Sequence, residues 1–254
     1  MTYNIRYDTA KDGENAWPNR RPYVSQIIQY FSPDILGLQE VLAHQLDQLQ
    51  YDLPNYSTIG VGRDDGKSGG EFTPLFIKQG KFKIHESGTF WLSEEPNIPS
   101  TGWDAALPRT ATWARVTENS SQNTYLIVNT HWDHRGEIAR QRSALLIRNW
   151  MQENVGPDET PILMGDLNTT PSTEAIITLR DSDFLTDARK VSQIPPLGPP
   201  GTSNGFEIYH SEEEPIDFVF LGATSEVVRY AVITQHHEGR LPSDHYPIIV
   251  DIEQ

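Results

Sequence analysis

An apolar segment that ends in an acid and an amide is the first chemically informative feature of the sequence. In "PILMGDLNTTP", residues 161–171, an apolar run is followed by Asp166 and Asn168. A carboxylate can accept a proton or bind a cation, and an amide two residues further on, across a turn, can donate a hydrogen bond into the same pocket. The alternative is an Asx turn that caps the next helix.

Similar polar groups lie at the ends of other apolar segments. They are Asn4, Glu40, His131, Asp217, Asp244 and His245. Any one of them could be an ordinary cap or turn residue, because polar side chains commonly terminate strands. Ligands of layered α/β proteins, however, gather at strand ends. The recurrence of these groups therefore predicts a site that binds metal, moves protons or donates hydrogen bonds.

The segments that carry these residues alternate between strand and helix patterns. Runs of β-branched and aromatic residues predict strands, and apolar residues at helical spacing predict helices. The predicted strands cover 1–5, 34–41, 73–78, 82–92, 110–117, 124–132, 160–166, 215–221, 227–234 and 246–253. The predicted helices cover 23–31, 42–53, 137–154 and 173–180.

Two turn-rich segments interrupt these patterns. "GRDDGKSGG", residues 62–70, and "IPPLGPPGTSNG", residues 194–205, have no regular periodicity and are typical of loops. Neither resembles a linker between independent domains, because the strands that follow lack helices of their own to cover them. We therefore expect one mixed α/β domain over residues 1–254.

The composition limits the class of function. The chain has 254 residues and a net charge of −15, which opposes non-specific attraction to the backbone of long nucleic acid. It contains no cysteine, which excludes disulfides and thiolate metal sites. No segment approaches the roughly 18 consecutive apolar residues of a transmembrane helix. The first residues show no signal-peptide pattern, so a cytoplasmic location is favoured, and an exported form is expected if an upstream signal peptide was removed.

Seven short motifs, in order, resemble those of the endonuclease/exonuclease/phosphatase superfamily, the DNase I-like proteins. They are "TYNIRYD", "LGLQEV", "PRTATWARV", "VNTHWDH", "GDLNTTP", "PIDFVFL" and "SDHYPI". The resemblance covers residues 2–250. Within the superfamily, the chain is similar to a poorly characterised bacterial subgroup. It implies an α/β (α+β) fold: a four-layer sandwich of two packed, mostly antiparallel β-sheets flanked by helices, with the site at one edge.

The resemblance also implies roles for the first group of strand-end residues. Glu40 would bind Mg²⁺ or Mn²⁺, and Asn4 would hold the metal or its waters. Asp244 would supply a second carboxylate to the metal or to bound water. Asp166 would orient and deprotonate the attacking water, and Asn168 would donate to a phosphate oxygen. Hard cations of this kind prefer oxygen ligands.

The histidines acquire partners through the same resemblance. His245 would contact the phosphate, with Asp217 fixing its tautomer and raising its basicity. His131 would protonate the leaving group or contact the phosphate, and Glu71, two residues before "TPLFIK", would orient it; a solvated loop position is the alternative for Glu71. Arg109 would meet the substrate phosphate, with a surface ion pair as its alternative.

Other polar residues have two open interpretations. Asp133 and His134 either contact substrate or cap the following helix. Trp91 and Trp103 either line the pocket or pack in the core. The adjacent His236 and His237 are expected in a loop, since neighbouring side chains point in different directions.

These observations predict a Mg²⁺-dependent hydrolase of phosphate esters, a phosphodiesterase or phosphatase that uses in-line attack of water. A metal-dependent endonuclease or exonuclease on DNA or RNA is the alternative, disfavoured for long nucleic acid by the acidity of the chain. A catalytically silent binding protein on the same fold is the alternative from a different class. The sequence leaves the substrate, the number of metal ions and the oligomeric state open.

Overall fold

A computed structural model describes residues 1–180, 183–208 and 210–253, and its strands form two six-stranded sheets. The first sheet has the order β11-β12-β1-β2-β4-β3 and contains β1 (Thr2–Asn4), β2 (Ile35–Gln39), β3 (Tyr56–Ile59), β4 (Leu75–Lys78), β11 (Glu226–Val232) and β12 (Ile248–Glu253). The second has the order β5-β6-β7-β8-β10-β9 and contains β5 (Phe82–Trp91), β6 (Thr110–Glu118), β7 (Thr124–His131), β8 (Glu159–Asp166), β9 (Leu185–Asp187) and β10 (Asp217–Gly222).

Each sheet contains one parallel pair of strands. In the first sheet β1 runs parallel to β2, and in the second β7 runs parallel to β8. The other neighbouring strands pair antiparallel. The predicted pair of mostly antiparallel sheets is confirmed.

Helices cover the outer face of each sheet. Their bounds are α1 (Trp17–Phe31), α2 (Ala43–Asp52), α3 (Glu137–Asn154), α4 (Glu174–Arg180) and α5 (Ala188–Val191), with a 3₁₀ helix at Ala10–Asn15. One apolar cluster joins α1 and α2 to the first sheet, a second lies between the sheets, and a third joins the second sheet to α3 and α4. The predicted four layers, helix-sheet-sheet-helix, are therefore present.

The central strands are buried on both faces, which explains their continuous apolar sequences. On β10, Phe218 and Phe220 pack toward α3 and α4, whereas Val219 and Leu221 pack between the sheets. A half-exposed strand would instead alternate apolar and polar residues.

Every predicted strand and helix contains an element of the predicted type, but some elements were not predicted. The first helix begins at Trp17 rather than at residue 23, because Pro18 lies in the first turn, where its missing N–H is tolerated. Strands β3 and β9 are only four and three residues long. Segments this short carry little periodicity, and they are strands because β4 pairs with β3 and β10 pairs with β9.

A buried polar contact joins the two sheets below the site. The Gln39 amide donates to Asn129 Oδ1 at 2.7 Å, and the Asn129 amide donates to the carbonyls of Leu38 and Pro74. Gly37 permits this approach, since a Cβ at that position would lie 2.7 Å from the Asn129 side chain and 2.9 Å from Met164 Sδ. The small residue and the amide together set the spacing of the sheets at this point.

Strand ends from both sheets meet at one edge of the sandwich. Asn4 is opposite Gln39, so Glu40 follows directly, and His131 is opposite Asp166. Asp217 begins β10 opposite Asp166. Because parallel neighbours end on the same side, the two parallel pairs deliver their last residues to a common edge.

Candidate active site

The Asn4 amide connects the two sheets at this edge. Asn4 Nδ2 donates to Glu40 Oε1 at 3.1 Å and to Asp166 Oδ2 at 2.9 Å. Its oxygen accepts the backbone N–H of Arg6 at 3.0 Å. One buried amide therefore holds two carboxylates from different sheets close together.

A second contact between the sheets joins His245 and Asp217. His245 Nδ1 lies 2.8 Å from Asp217 Oδ2, and both side chains are buried. The hydrogen bond predicted between these residues, 28 positions apart, is confirmed. His245 Nε2 faces the other way and lies 3.8 Å from Asp166 Oδ2. Asp217 thus fixes the orientation of the ring toward Asp166.

The charges of this cluster perturb one another. Burial raises the pKa of Asp166 well above its ordinary value, and the nearby Asp217 carboxylate raises it further. For His245, burial acts to lower the pKa, but the Asp217 and Asp166 carboxylates outweigh it and raise the pKa well above its ordinary value. The ring is therefore held in its protonated form beside the two acids.

Asp166 uses its two oxygens differently. Oδ1 accepts the backbone N–H of Asn168 at 2.9 Å, which is the Asx turn considered as an alternative for this segment. Oδ2 faces Asn4, His131 and His245. The Asp166 carboxylate thus forms the Asx turn with one oxygen and lines the pocket with the other.

Asn168 is held with its side chain beside the same edge. Its Nδ2 donates to the Trp132 carbonyl at 2.9 Å, and its backbone has a φ of 48°. Arg6 and Glu40 also have positive φ values, 57° and 61°. Left-handed backbone at residues other than glycine is uncommon and concentrates at functional sites.

Arg6 is a site residue that the sequence interpretation missed. Its guanidinium pairs with Asp12 through two hydrogen bonds of 3.1 Å, and lies 3.9 Å from Glu40 Oε2 and 3.7 Å from Asp244 Oδ2. The motif "TYNIRYD" contained it, but nothing in the spacing showed that a positive φ would turn it toward these carboxylates.

His131 lies close to Asp166, and its predicted partner is engaged elsewhere. His131 Nε2 is 3.6 Å from Asp166 Oδ2, whereas Nδ1 is 3.9 Å from Glu71 Oε2, too far for a hydrogen bond. Glu71 instead accepts two hydrogen bonds of 2.9 Å from Arg63. The expected Glu71–His131 hydrogen bond was wrong, because the planar guanidinium matches both carboxylate oxygens at once. Glu71 is nevertheless largely buried beside the site, not in a solvated loop position.

Arg109 is buried beside the same histidine. Its Nε is 3.4 Å from Asp133 Oδ2, and its Nη2 is 3.0 Å from His134 Nδ1. Burial lowers the pKa of His131 well below its ordinary value, and the cations of Arg109 and Arg63 lower it further. His131 is therefore neutral, and Arg109 is not the surface residue considered as its alternative.

Asp133 and Trp91 have structural roles. Asp133 Oδ1 accepts the backbone N–H groups of Arg135 and Gly136 before α3, so the capping interpretation describes its position. Trp91 is buried and its indole donates to the Arg63 carbonyl at 2.7 Å. It therefore supports the 62–70 loop that carries Arg63.

The donor atoms at this edge suit a divalent cation. Asp166, Asp217 and His245 each offer a ligand atom within 4.8 Å of the others. Because Asp217 already holds His245 and the ring is protonated, the carboxylate oxygens of Glu40 and Asp244 are the better donors for a hard cation. Glu40 and Asp166 share the Asn4 amide, so their oxygens already converge.

Comparison with known proteins decides the family. The sequence model of the Endonuclease/Exonuclease/phosphatase family matches residues 1–245. The chain belongs to this family. Members of this family hydrolyse phosphoester bonds, generally with a divalent metal ion.

Solved structures agree in fold across the whole chain. A mannosyl-6-phosphatase from Bacteroides thetaiotaomicron is 36% identical, with a TM-score of 0.94, covering 100% of this chain and 98% of that one. A family protein from Bacteroides vulgatus is 39% identical, with a TM-score of 0.93 and coverage of 99% and 97%. The human nocturnin catalytic domain, 22% identical with a TM-score of 0.76 and coverage of 98% and 92%, shares the fold.

Curated relatives match over a part of their length. The mimivirus protein L388 is 29% identical over 168 residues, which is 60% of this chain and 59% of that protein. Rat nocturnin is 26% identical over 254 residues, 91% of this chain and 56% of that protein. The chain thus spans less than two thirds of these relatives.

Within residues 1–180, 183–208 and 210–253, no helix has the length and apolar character needed to span a membrane.

Proposed function

We propose that this protein is a metal-dependent hydrolase of phosphate esters. The main support for this proposal is the set of atoms that surround Asp166 Oδ2. This oxygen is buried and faces Asn4 Nδ2 at 2.9 Å, His131 Nε2 at 3.6 Å and His245 Nε2 at 3.8 Å. A carboxylate held among potential donors at a strand edge, with a raised pKa, is the arrangement expected of a catalytic base.

Asp166 orients the attacking water and takes its proton. Its raised pKa brings the carboxylate closer to neutral pH, where a general base is most effective. The turn through Asn168 and the bond from Asn4 keep the reactive oxygen in place. A carboxylate fixed in this way needs little reorganisation when the water attacks.

His245 and Asn168 stabilise the charge on the phosphate. The protonated His245, oriented by Asp217, presents Nε2–H toward the pocket. The Asn168 amide keeps a second N–H besides the one given to Trp132. His131 contacts the phosphate as a neutral ring, since its lowered pKa leaves it without the extra proton that it would give to the leaving group. Glu71 acts on this region through Arg63.

Magnesium or manganese would be held by Glu40 and Asp244. When bound, such a cation neutralises phosphate charge and lowers the pKa of bound water. Asn4 acts on this site indirectly, because its N–H groups face Glu40 and Asp166 while its oxygen accepts the Arg6 N–H. Asn4 thus holds Glu40, which would bind the metal, beside Asp166, which accepts the proton.

A sugar phosphate is the first substrate to test. The similar protein from B. thetaiotaomicron is a mannosyl-6-phosphatase, and the two chains align over nearly their full lengths. The net charge of −15 also favours a small substrate over long nucleic acid. A nuclease activity remains the alternative, since the family includes both phosphatases and nucleases.

The test is a panel of substrates assayed with Mg²⁺, Mn²⁺ or EDTA. It contains mannose 6-phosphate, glucose 6-phosphate, nucleotides, a phosphodiester, single- and double-stranded DNA, RNA and phospholipid. We expect metal-dependent release of phosphate from a sugar phosphate, abolished by EDTA and by Asp166→Asn. Preferential cleavage of nucleic acid would establish the nuclease alternative. No turnover of any substrate by a folded wild-type protein that binds Mn²⁺ would refute the proposal.

A further inference from the structure

Arg20 in helix α1 is a buried arginine that the reaction proposed above does not use. It is 2% exposed, although an arginine is seldom fully buried unless partners satisfy its charge. The next residue in the helix, Arg21, is partly exposed and pairs with Asp52, as a surface arginine commonly does. The buried position of Arg20 therefore calls for an explanation.

Arg20 donates four hydrogen bonds, and all four acceptors are backbone carbonyls. Nη1 donates to the carbonyls of Ile5 and Pro242, both at 2.7 Å. Nη2 donates to the Arg6 carbonyl at 3.1 Å, and Nε donates to the Asn15 carbonyl. The planar guanidinium thus joins three segments of the chain, one of which lies 222 residues away in sequence.

Each of these three segments carries a charged side chain of the site. The first carries Arg6, which lies 3.7 Å from Asp244 Oδ2. The second, the 3₁₀ helix, carries Asp12, which accepts two hydrogen bonds from Arg6. The third carries Asp244 itself, two residues after Pro242. The hydrogen bonds of Arg20 therefore fix the backbone from which these charged groups project.

Two of the segments lie beyond the strand pairing of the first sheet. Strand β1 ends at Asn4 and β12 begins at Ile248, so residues 5–6 and 242–245 follow or precede the paired strands. Side chains join the two segments instead. The Ser243 hydroxyl donates to the Asn4 carbonyl at 2.7 Å, and the guanidinium binds a carbonyl on each side.

We propose that Arg20 is a positioning residue that holds Asp244 beside Glu40 and so sets the spacing of the two proposed metal ligands. The inference rests on the proposed metal-dependent hydrolysis, and Arg20 itself touches neither metal nor substrate. An arginine suits this role because its N–H groups point in fixed directions within one plane. A lysine would present all its donors from a single nitrogen.

The test measures Mn²⁺ affinity by calorimetry in wild type, Arg20→Gln and Arg20→Lys. We expect Arg20→Gln to bind Mn²⁺ at least ~10-fold more weakly, because support from outside the metal ligands is typically worth ~10–100-fold in affinity. Arg20→Lys should fall between the other two, since it keeps the charge without the planar fork. Saturating Mn²⁺ should restore most of kcat, because Asp166 and Asp217 belong to the other sheet.

Two control variants separate positioning from a general loss of stability. Arg21→Gln removes a guanidinium from the next position of the same helix and should bind Mn²⁺ as wild type does. Ile147→Ala opens a cavity behind the second sheet, where Ile147 of α3 is fully buried. It should lower the Tm without changing Mn²⁺ affinity. An equal loss of affinity in Ile147→Ala and Arg20→Gln would assign the effect to instability and overturn the proposal.

Hydrogen exchange in the metal-free protein gives a readout that needs no bound ion. The Asn204 N–H donates to the Asp244 carbonyl at 2.7 Å, so its exchange rate reports whether the segment that carries Asp244 is held in place. Measured by NMR, this exchange should be faster in Arg20→Gln than in wild type and unchanged in Ile147→Ala. Exchange at the wild-type rate in a folded Arg20→Gln would contradict the role of Arg20.

The failures of the two proposals are distinguishable. Wild-type Mn²⁺ affinity in a folded Arg20→Gln would overturn the role of Arg20 and leave metal-dependent hydrolysis intact. A wild type that binds no Mn²⁺ would refute the metal-dependent function, and the positioning of Asp244 by Arg20 would then be decided by exchange of the Asn204 N–H. If Arg20→Gln does not fold, Arg20→Lys replaces it, and wild-type affinity and exchange in that variant would refute the inference.

Discussion

The edge of the first sheet and the edge of the second present their acids in different environments. On the first, the side chains of Glu40, Asp244 and Arg6 are 14%, 20% and 26% exposed. On the second, those of Asp166 and Asp217 are 1% and 2% exposed. The first edge thus offers carboxylates that remain in contact with water, and the second offers carboxylates removed from it.

This difference in burial separates two kinds of chemistry. A carboxylate near solvent has oxygens that can exchange water for a hard cation. For Asp166, removal from water raises the pKa, which makes this carboxylate a better proton acceptor. The comparison therefore predicts that substitutions on the first edge change metal affinity and that those on the second change turnover.

The largest expected effect is that of Asp166→Asn on the second edge. The amide keeps the shape of the side chain but cannot accept the proton, so kcat should fall by ~10²–10⁴ while Mn²⁺ still binds. Turnover of the best substrate and calorimetry with Mn²⁺ give the two readouts. Asp187→Asn is the matched control, because Asp187 is a buried acid at the end of β9 in the same sheet. Near-normal turnover by folded Asp166→Asn would remove Asp166 from the reaction.

The next effect is that of Glu40→Gln on the first edge. Loss of the anionic oxygen should weaken Mn²⁺ binding by at least ~10-fold, with the loss of activity overcome in part by excess metal. Glu118→Gln, which alters a carboxylate paired with Lys81 away from the site, should bind Mn²⁺ as wild type does. Unchanged affinity in Glu40→Gln would shift the metal toward Asp166, Asp217 and His245.

A smaller effect, on stability, is expected for Asp133→Ala beside the second edge. The change leaves the N–H groups of Arg135 and Gly136 without their acceptor, which should lower the free energy of unfolding by ~1–3 kcal/mol at pH 7. Denaturant unfolding of wild type and Asp133→Ala measures this difference in the free energy of unfolding.

The same variant has a predicted pH dependence. Burial alone would raise the pKa of Asp133, but the backbone N–H donors, that of Gly136 foremost, lower it to about 2. A lowered pKa means that the stabilisation is present above the ordinary value of 3.8 and is lost as the pH falls through about 2. The difference between wild type and Asp133→Ala should therefore be constant from pH 7 to pH 5 and begin to shrink below pH 4. A constant difference down to pH 3 would show that the carboxylate charge is not responsible.

The smallest effect is expected for Arg6→Gln. Arg6 lies 3.9 Å from Glu40 and 3.7 Å from Asp244, so its charge competes with a cation for the same oxygens. A net interaction of ~1 kcal/mol for the two contacts together, both near solvent, predicts a rise of about fivefold in Mn²⁺ affinity. Arg21→Gln, which removes the ion pair with Asp52 behind the first sheet, is the control. Weaker Mn²⁺ binding by Arg6→Gln would mean that the guanidinium positions the carboxylates instead of competing for them.

Local sequence patterns were sufficient for most of the strands and helices, whereas the four-layer arrangement was predicted from the family resemblance. The central strands and α3 were predicted with nearly their observed bounds, because burial on both faces of a strand or one face of a helix leaves a readable pattern. The short strands β3 and β9 were not predicted, since their pairing depends on neighbours distant in the chain. The Asp217–His245 pair was predicted from the motifs, and the structure bears it out.

The sequence by itself determined which chemical groups this protein places at its strand ends. Asn4, Glu40, His131 and Asp166 follow apolar strands, so their delivery to one edge is a consequence of strand direction. Only the tertiary structure decided which of these groups meet. Arg63, rather than His131, forms hydrogen bonds with Glu71. A positive φ turns Arg6 toward Glu40 and Asp244. Side-chain partners depend on distances between segments far apart in the chain, and on competition for each acceptor, which no local pattern encodes.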